Sequence, residues 1–332
     1  MLWSSSIALC LSACGSDSSD EIAGAGGAGG TSGTGGGNVT GPEDEIGVFG
    51  VQLVAPVAAN GASAARPGST VIVGSVGDKP DTESKIWELQ SESGDCALLV
   101  PRVPFCDPSC GSGEVCVEDG MCVAERASVD VGAVTVRGVT TNSGADSVTL
   151  VSARNIYQNG TMTMPFPAFD EGDPITLEAT GAGAIPAFTT EANGIATLEV
   201  PAGDELVITG EDDLPLTWTP PADPSTSRIL VKLDISHHGG EKGKIECDVE
   251  DDGTLSLPAA MLNDLIALGV AGFPTIVITR SAISTAQLPA GRVRMRIYQY
   301  NERAVTIPGV VSCESEAQCE SGQTCLDNKT CG

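Results

Sequence analysis

The sequence predicts an all-β protein: antiparallel β-sandwich domains with one short helix and two small disulfide-rich modules. Three observations carry that expectation. Short runs rich in β-branched residues recur between turn residues, and several alternate apolar with polar side chains. One segment, Leu257 to Gly269, has helical character. A thirteen-residue cysteine pattern occurs twice, in units too small to build a core of their own.

The first strands are expected at Val129 to Val139, Ser147 to Ala153, Ile175 to Thr180, Ala196 to Val200 and Leu206 to Thr209. Asn60-Gly61, Asn159-Gly160 and Asn193-Gly194 mark turns, because these residues tolerate the backbone angles that tight turns need. Trp218-Thr219-Pro220-Pro221 ends a strand, since consecutive prolines cannot donate to a ladder. From Arg228 to Ser236, residues Ile229, Val231, Leu233 and Ile235 share one face. Arg228, Lys232 and Asp234 share the other, with Leu230 the exception. From Lys244 to Glu250, Ile245, Cys247 and Val249 oppose Lys244, Glu246, Asp248 and Glu250. The acidic run that follows imitates the start of a calcium loop, but its twelfth position is Ala259 rather than Glu, so Asp252-Gly253 reads as a turn. The helix has Pro258 near its start and Gly269 just past its end, both favoured boundary residues.

At the N-terminus, Leu11-Ser12-Ala13-Cys14 follows an apolar run, Ile7 to Leu11, and resembles a bacterial lipobox. The resemblance implies a signal peptide over residues 1–13 and lipidation of Cys14. Such signals open with basic residues, and the first basic residue here is Arg66, so a start codon upstream is expected. Residues 14–46 then form a tether. Nine of the fourteen residues from Gly24 to Gly37 are Gly, too polar and flexible to order themselves, with a span of roughly 30 Å. A small β domain is expected at 47–126, a larger sandwich at 127–312, and a cysteine-rich module at 313–332. No apolar stretch is long enough for a membrane-spanning helix.

Cysteine arithmetic adds a covalent framework. Cys10 leaves with the signal, and ten cysteines remain beyond Cys14: Cys96, Cys106, Cys110, Cys116, Cys122, Cys247, Cys313, Cys319, Cys325 and Cys331. An even number in an exported chain implies disulfides, and no CxxC pair suggests zinc. Cys110 to Cys122 aligns without gaps on Cys319 to Cys331, with five of thirteen positions identical. Each repeat has one further cysteine upstream, Cys106 or Cys313. If each quartet closes on itself, Cys96 and Cys247 are left to each other. Within a quartet three pairings exist, and first-to-third with second-to-fourth is preferred. Lipobox, Gly-rich tether and CxSG[E/Q]xC repeats together resemble surface lipoproteins of the myxobacterial type. That resemblance implies a lipid-anchored place in the bacterial cell envelope, at the outer membrane, and no particular activity.

Charge narrows the partners. Seventeen basic residues against forty-four acidic ones give −27, which repels nucleic acid. A membrane contact through the anchor and an envelope protein or glycan ligand are expected instead. The only histidines, His237 and His238, are candidates for a metal site with Glu241 or Asp234. Neighbours on a strand point to opposite faces, so a polar turn is the preferred reading. No nucleophile-elbow, zincin or phosphate-loop motif occurs, so no catalytic residue is assigned and no cofactor is expected. A candidate binding face runs through Arg292, Arg294, Arg296, Tyr298 and Tyr300, opposite Val293, Met295 and Ile297. A neighbouring acidic strand such as Glu246, Asp248 and Glu250 is expected to neutralise it. The leading expectation is a non-enzymatic lipoprotein presenting a β-sandwich head. The alternatives are a metal-dependent hydrolase built on the His237 loop and a recognition or inhibitor module carried by the cysteine repeats.

Overall fold

The structure, a computed structural model, describes residues 44–59, 64–82, 85–201 and 205–332. Cys14, nearly all of the tether and the Asn60-Gly61 turn lie outside the described residues. In chain order the first strands are β1 (Glu45–Val54), β2 (Ser69–Gly77), β3 (Ile86–Ser93), β4 (Cys96–Arg102), β5 (Glu114–Glu118), β6 (Met121–Ala124) and β7 (Ser128–Val129). Next come β8 (Val134–Arg137), β9 (Ser147–Thr149), β10 (Val151–Ala153), β11 (Ile156–Gln158), β12 (Pro174–Ala179) and β13 (Phe188–Asn193). The rest are β14 (Leu206–Val207), β15 (Leu214–Thr217), β16 (Arg228–Asp234), β17 (Lys244–Glu250), β18 (Thr254–Leu257), the helix α1 (Ala259–Ala267), β19 (Thr275–Leu288) and β20 (Gly291–Thr306).

One large sheet organises the fold, in the order β10-β11-β2-β1-β20-β19-β16-β17-β4-β3, with β7 and β14 added at its sides. Alternate residues of the long strands β19 and β20 show how it is used. Ile276 and Ile278 of β19, with Val305 of β20, join one apolar cluster. Ala282, Ala286 and Leu288 of β19, with Val293, Met295 and Ile297 of β20, join another. These positions share one face of the sheet, so a single face carries two cores side by side. The first is closed by the hairpin of β15 and β18 and by α1, which turns Met261, Leu262 and Leu265 inward. The second is closed by the sheet β13-β12-β8-β9. Each large apolar side chain buried there contributes about 1.5–3 kcal/mol.

α1 forms where its boundary residues allow. Pro258 precedes it, the Asp213 carboxylate accepts from Ala259 N at 2.8 Å, and Gly269 ends it at φ +94°. The Gly269 conformation is one that few other residues adopt.

Several expectations need correction. Residues 47–126 are not a separate domain: β1 lies between β2 and β20, and β4 pairs with β17. Residues 44–46 belong to the folded body rather than to the tether, because Ile46 is buried and Asp44 pairs with Arg292. The sheets are antiparallel except at β1–β20 and β14–β20. The run Val129 to Val139 breaks around Gly132, at φ +78°. The run Ser147 to Ala153 breaks at buried Leu150, where the chain leaves the small sheet (β9) for the large one (β10). Ala196 to Val200 is not a strand. Part of its backbone is satisfied by side chains instead: Leu198 exchanges hydrogen bonds with Gln299, and Arg280 donates to Thr197 O at 2.8 Å.

Five disulfides brace the fold. Cys96 joins Cys247 across β4 and β17. Cys106–Cys116 and Cys110–Cys122 close the first module, and Cys313–Cys325 and Cys319–Cys331 the second. The second module and the residue before it dock on the body at Gly272. Gly272 N donates to Asn328 O at 2.7 Å, and Ser312 Oγ donates to Gly272 O at 2.6 Å. Gly272 sits at φ +56°, where a Cβ would lie 1.9 Å from His237 O. Gly272→Ala is therefore expected to cost at least about 2 kcal/mol and to loosen the module. Hydrogen exchange across residues 313–332 checks this: it should quicken in the variant, with all disulfides intact. Unchanged protection would refute the docking role of Gly272.

Candidate functional site

The candidate face lies on the side of the large sheet away from both cores. On β20 it carries Arg292, Arg294, Arg296, Tyr298 and Tyr300, between β1 and β19. Glu45 of β1 and Asp44 just before it supply the counter-charges. Arg292 Nε donates to Asp44 Oδ1 at 2.7 Å, and Arg294 is held by Glu45 at 2.9 and 3.0 Å. Arg294 is buried, so its pair is not a solvated one. The acidic strand expected to neutralise the row does other work. Asp248 pairs with Arg228, and Glu246 pairs at 2.8 Å with Lys244, whose ammonium sits 3.8 Å from the Trp87 ring centre. Glu246, Asp248 and Glu250 lie on β17, with β16 and β19 between them and β20, too far across the sheet to reach the row.

The other end of the row differs. The Arg296 guanidinium lies 4.8 Å from the Tyr298 ring centre, and Tyr298 Oη donates to Gln52 Oε1 at 3.2 Å. Burial raises the Tyr298 phenol above its ordinary value, with Arg296 pulling the other way, so it stays a donor. Gly50 lets the ring lie close to β1: a Cβ there would meet Tyr298 Cε1 at 3.1 Å. Tyr300, Val71, Val73 and Ile283 are exposed around it. The outward positions of β1 from Val48 to Val54, of β2 from Ser69 to Ser75 and of β19 from Val277 to Gln287 hold no carboxylate. In a chain with forty-four acidic residues that composition sets the face apart. The contributions of β1 and β2 were missed from sequence, although Val71 and Val73 alternate with Ile72 and Gly74 there.

His237 and His238 occupy a turn after β16, with their rings 3.8 Å apart. The expected co-ligands are engaged elsewhere. Asp234 accepts from Ser236 N at 2.7 Å and from Ser236 Oγ at 3.0 Å, while Glu241 pairs with Lys85. His237 O accepts from Phe273 N at 2.8 Å. Among the described residues, the groups of three potential metal ligands that lie close together are Cys106, Cys110 and Cys116, and Cys313, Cys319 and Cys331. Their sulfurs are consumed in disulfides. Two clefts, of about 410 and 380 Å³, lie elsewhere. The first lies beside Arg126, Asp81 and Glu125, and the second has Leu206, Leu214, Leu216 and Ile278 on its walls, with Arg303. Neither includes His237 or His238.

Fold and site define a disulfide-braced all-β head with one carboxylate-poor sheet face. No family model matches the chain, and no curated protein matches it. Among solved structures it is similar to the chicken CNTN1 FN1-FN3 domains, at 7% identity over 72% of this chain and 69% of that one, with a TM-score of 0.17. That score is too low to carry fold or function across.

Proposed function

We propose that this protein is a lipid-anchored extracytoplasmic lipoprotein whose β-sandwich head serves binding or envelope structure rather than catalysis. In this reading Cys14 carries the acyl chains and residues 15–43 separate the head from the bilayer. The observation that carries it is the cysteine pairing. All ten cysteines beyond Cys14 are spent in five disulfides, which fits a protein of an oxidising, extracytoplasmic compartment. No helix among the described residues is long and apolar enough to cross a membrane. The head offers its partners the face around Arg296, Tyr298 and Tyr300, where an envelope protein or a glycan would dock.

The anchor is tested by expressing the gene with its upstream codons and fractionating the cells. The parent is expected in the membrane fraction and Cys14→Ala in the soluble one. If the variant partitions with membranes like the parent, lipid anchoring is wrong.

A further inference from the structure

We propose that the outward face of β2, β1, β20 and β19 binds a second copy of this chain, sheet against sheet. The two-fold axis would lie in the interface and cross β20 at right angles near Ile297. This builds on the reading of that face as the head's binding surface, and it is independent of the anchor.

The first argument is electrostatic. Two copies at −27 repel each other over most approaches. The outward positions of β1 from Val48, of β2 and of β19 are free of carboxylates, so here two copies meet with the least repulsion. The second argument is self-complementarity. The outward residues of β20 run Arg292, Arg294, Arg296, Tyr298, Tyr300, Glu302. Reversed by the two-fold, the row sets Arg292 against Glu302 of the other copy and Arg296 against Tyr298, while Arg294 stays buried against Glu45. One end supplies two partly exposed guanidinium groups, and the other supplies a carboxylate and an aromatic face that attracts cations. On β2, the same axis sets exposed Val71 against exposed Val73. An isologous interface needs this kind of mirrored pairing, residue i to j and j to i.

The third argument is size. Four strands about 4.8 Å apart and roughly 30 Å long present on the order of 600 Å². Stable interfaces start at about 600 Å² on each partner. Face-to-face stacking is also a standard way for two β-sheets to bury apolar side chains. Val73, 43% exposed, and Tyr300, 46% exposed, are left to solvent in the single chain.

Sedimentation velocity tests the proposal on the full-length chain carrying Cys14→Ser, so that acyl chains play no part. Between about 1 and 100 μM, the mass is expected to rise toward twice the 33.7 kDa of one chain. Val73→Glu faces a carboxylate toward Val71 of the other copy, and Glu302→Arg sets Arg against Arg292. Each is expected to weaken association at least about tenfold, with an unchanged melting temperature. Val103→Glu, exposed on the chain beyond β4, is the control and should associate like the parent. A chain that stays monomeric throughout overturns the proposal. So does a dimer indifferent to Val73→Glu and Glu302→Arg, or one weakened equally by Val103→Glu. A monomer that binds a glycan array and loses that binding on Val73→Glu also overturns it, while leaving the face as a ligand surface.

Discussion

Asp251→Ala is expected to destabilise the head by about 3–5 kcal/mol, the usual cost of leaving a buried charge without its partner. Arg280 and Asp251 are both 0% exposed, and Arg280 lies on β19 between Ile278 of one core and Ala282 of the other. The carboxylate accepts from Arg280 Nε at 2.6 Å and Nη2 at 2.8 Å, from Trp218 Nε1 at 2.8 Å and from Ser227 Oγ at 2.6 Å. Arg280 in turn donates to the carbonyls of Thr197 and Thr219, at 2.8 and 2.6 Å. One ion pair thus ties β17's end, β19 and two irregular segments together where the cores meet. Removing the carboxylate leaves a buried guanidinium without its counter-charge and strips the Trp218 indole of its acceptor. Urea unfolding measures the loss. Asp251→Leu with Arg280→Met should recover much of it, because that variant leaves no buried charge. A single-variant loss under about 1 kcal/mol would show the junction to be structurally unimportant.

Cys96→Ala with Cys247→Ala is expected to cost about 5 kcal/mol in the chain-entropy account of crosslinks. The bond spans 151 residues of sequence, against 10 or 12 within the modules, and loop entropy grows with length. It also fastens β4, and through it β3, to β17. Opening a module bond should instead cost about 3 kcal/mol and act locally. Thermal unfolding of the two double variants, Cys96→Ala with Cys247→Ala and Cys319→Ala with Cys331→Ala, checks the order. A melting temperature lowered more by Cys319→Ala with Cys331→Ala than by the Cys96 and Cys247 pair would contradict it.

The acidic partners of the arginine row show why part of the site was hidden. Its alternation is local, and β20 displays it as read: Val293, Met295 and Ile297 inward, Arg292, Arg296 and Tyr300 outward. Its counter-charges come from Asp44 and Glu45, 248 and 249 residues away, which no local pattern indicates. The split of Ser147 to Ala153 between two sheets is of the same kind. β-branched composition predicts extended chain, and it does not say that Leu150 must turn inward partway along.

The sequence by itself determined what depends on neighbours along the chain. Side chains that alternate at period two allotted the faces of β16 and β17, and Pro258 with Gly269 bounded α1. The repeated cysteine spacing marked out two modules. The tertiary structure alone decided which strands are neighbours. β1 enters between β2 and β20, which merges the two expected domains into one sheet, and Asp251 finds Arg280 across 29 residues to seal the seam between its cores. The physical reason is the range of the interactions. Propensity, turn geometry and periodicity act over a few residues, whereas strand order and buried charge pairing are settled by how the whole chain buries its apolar area and satisfies its polar groups.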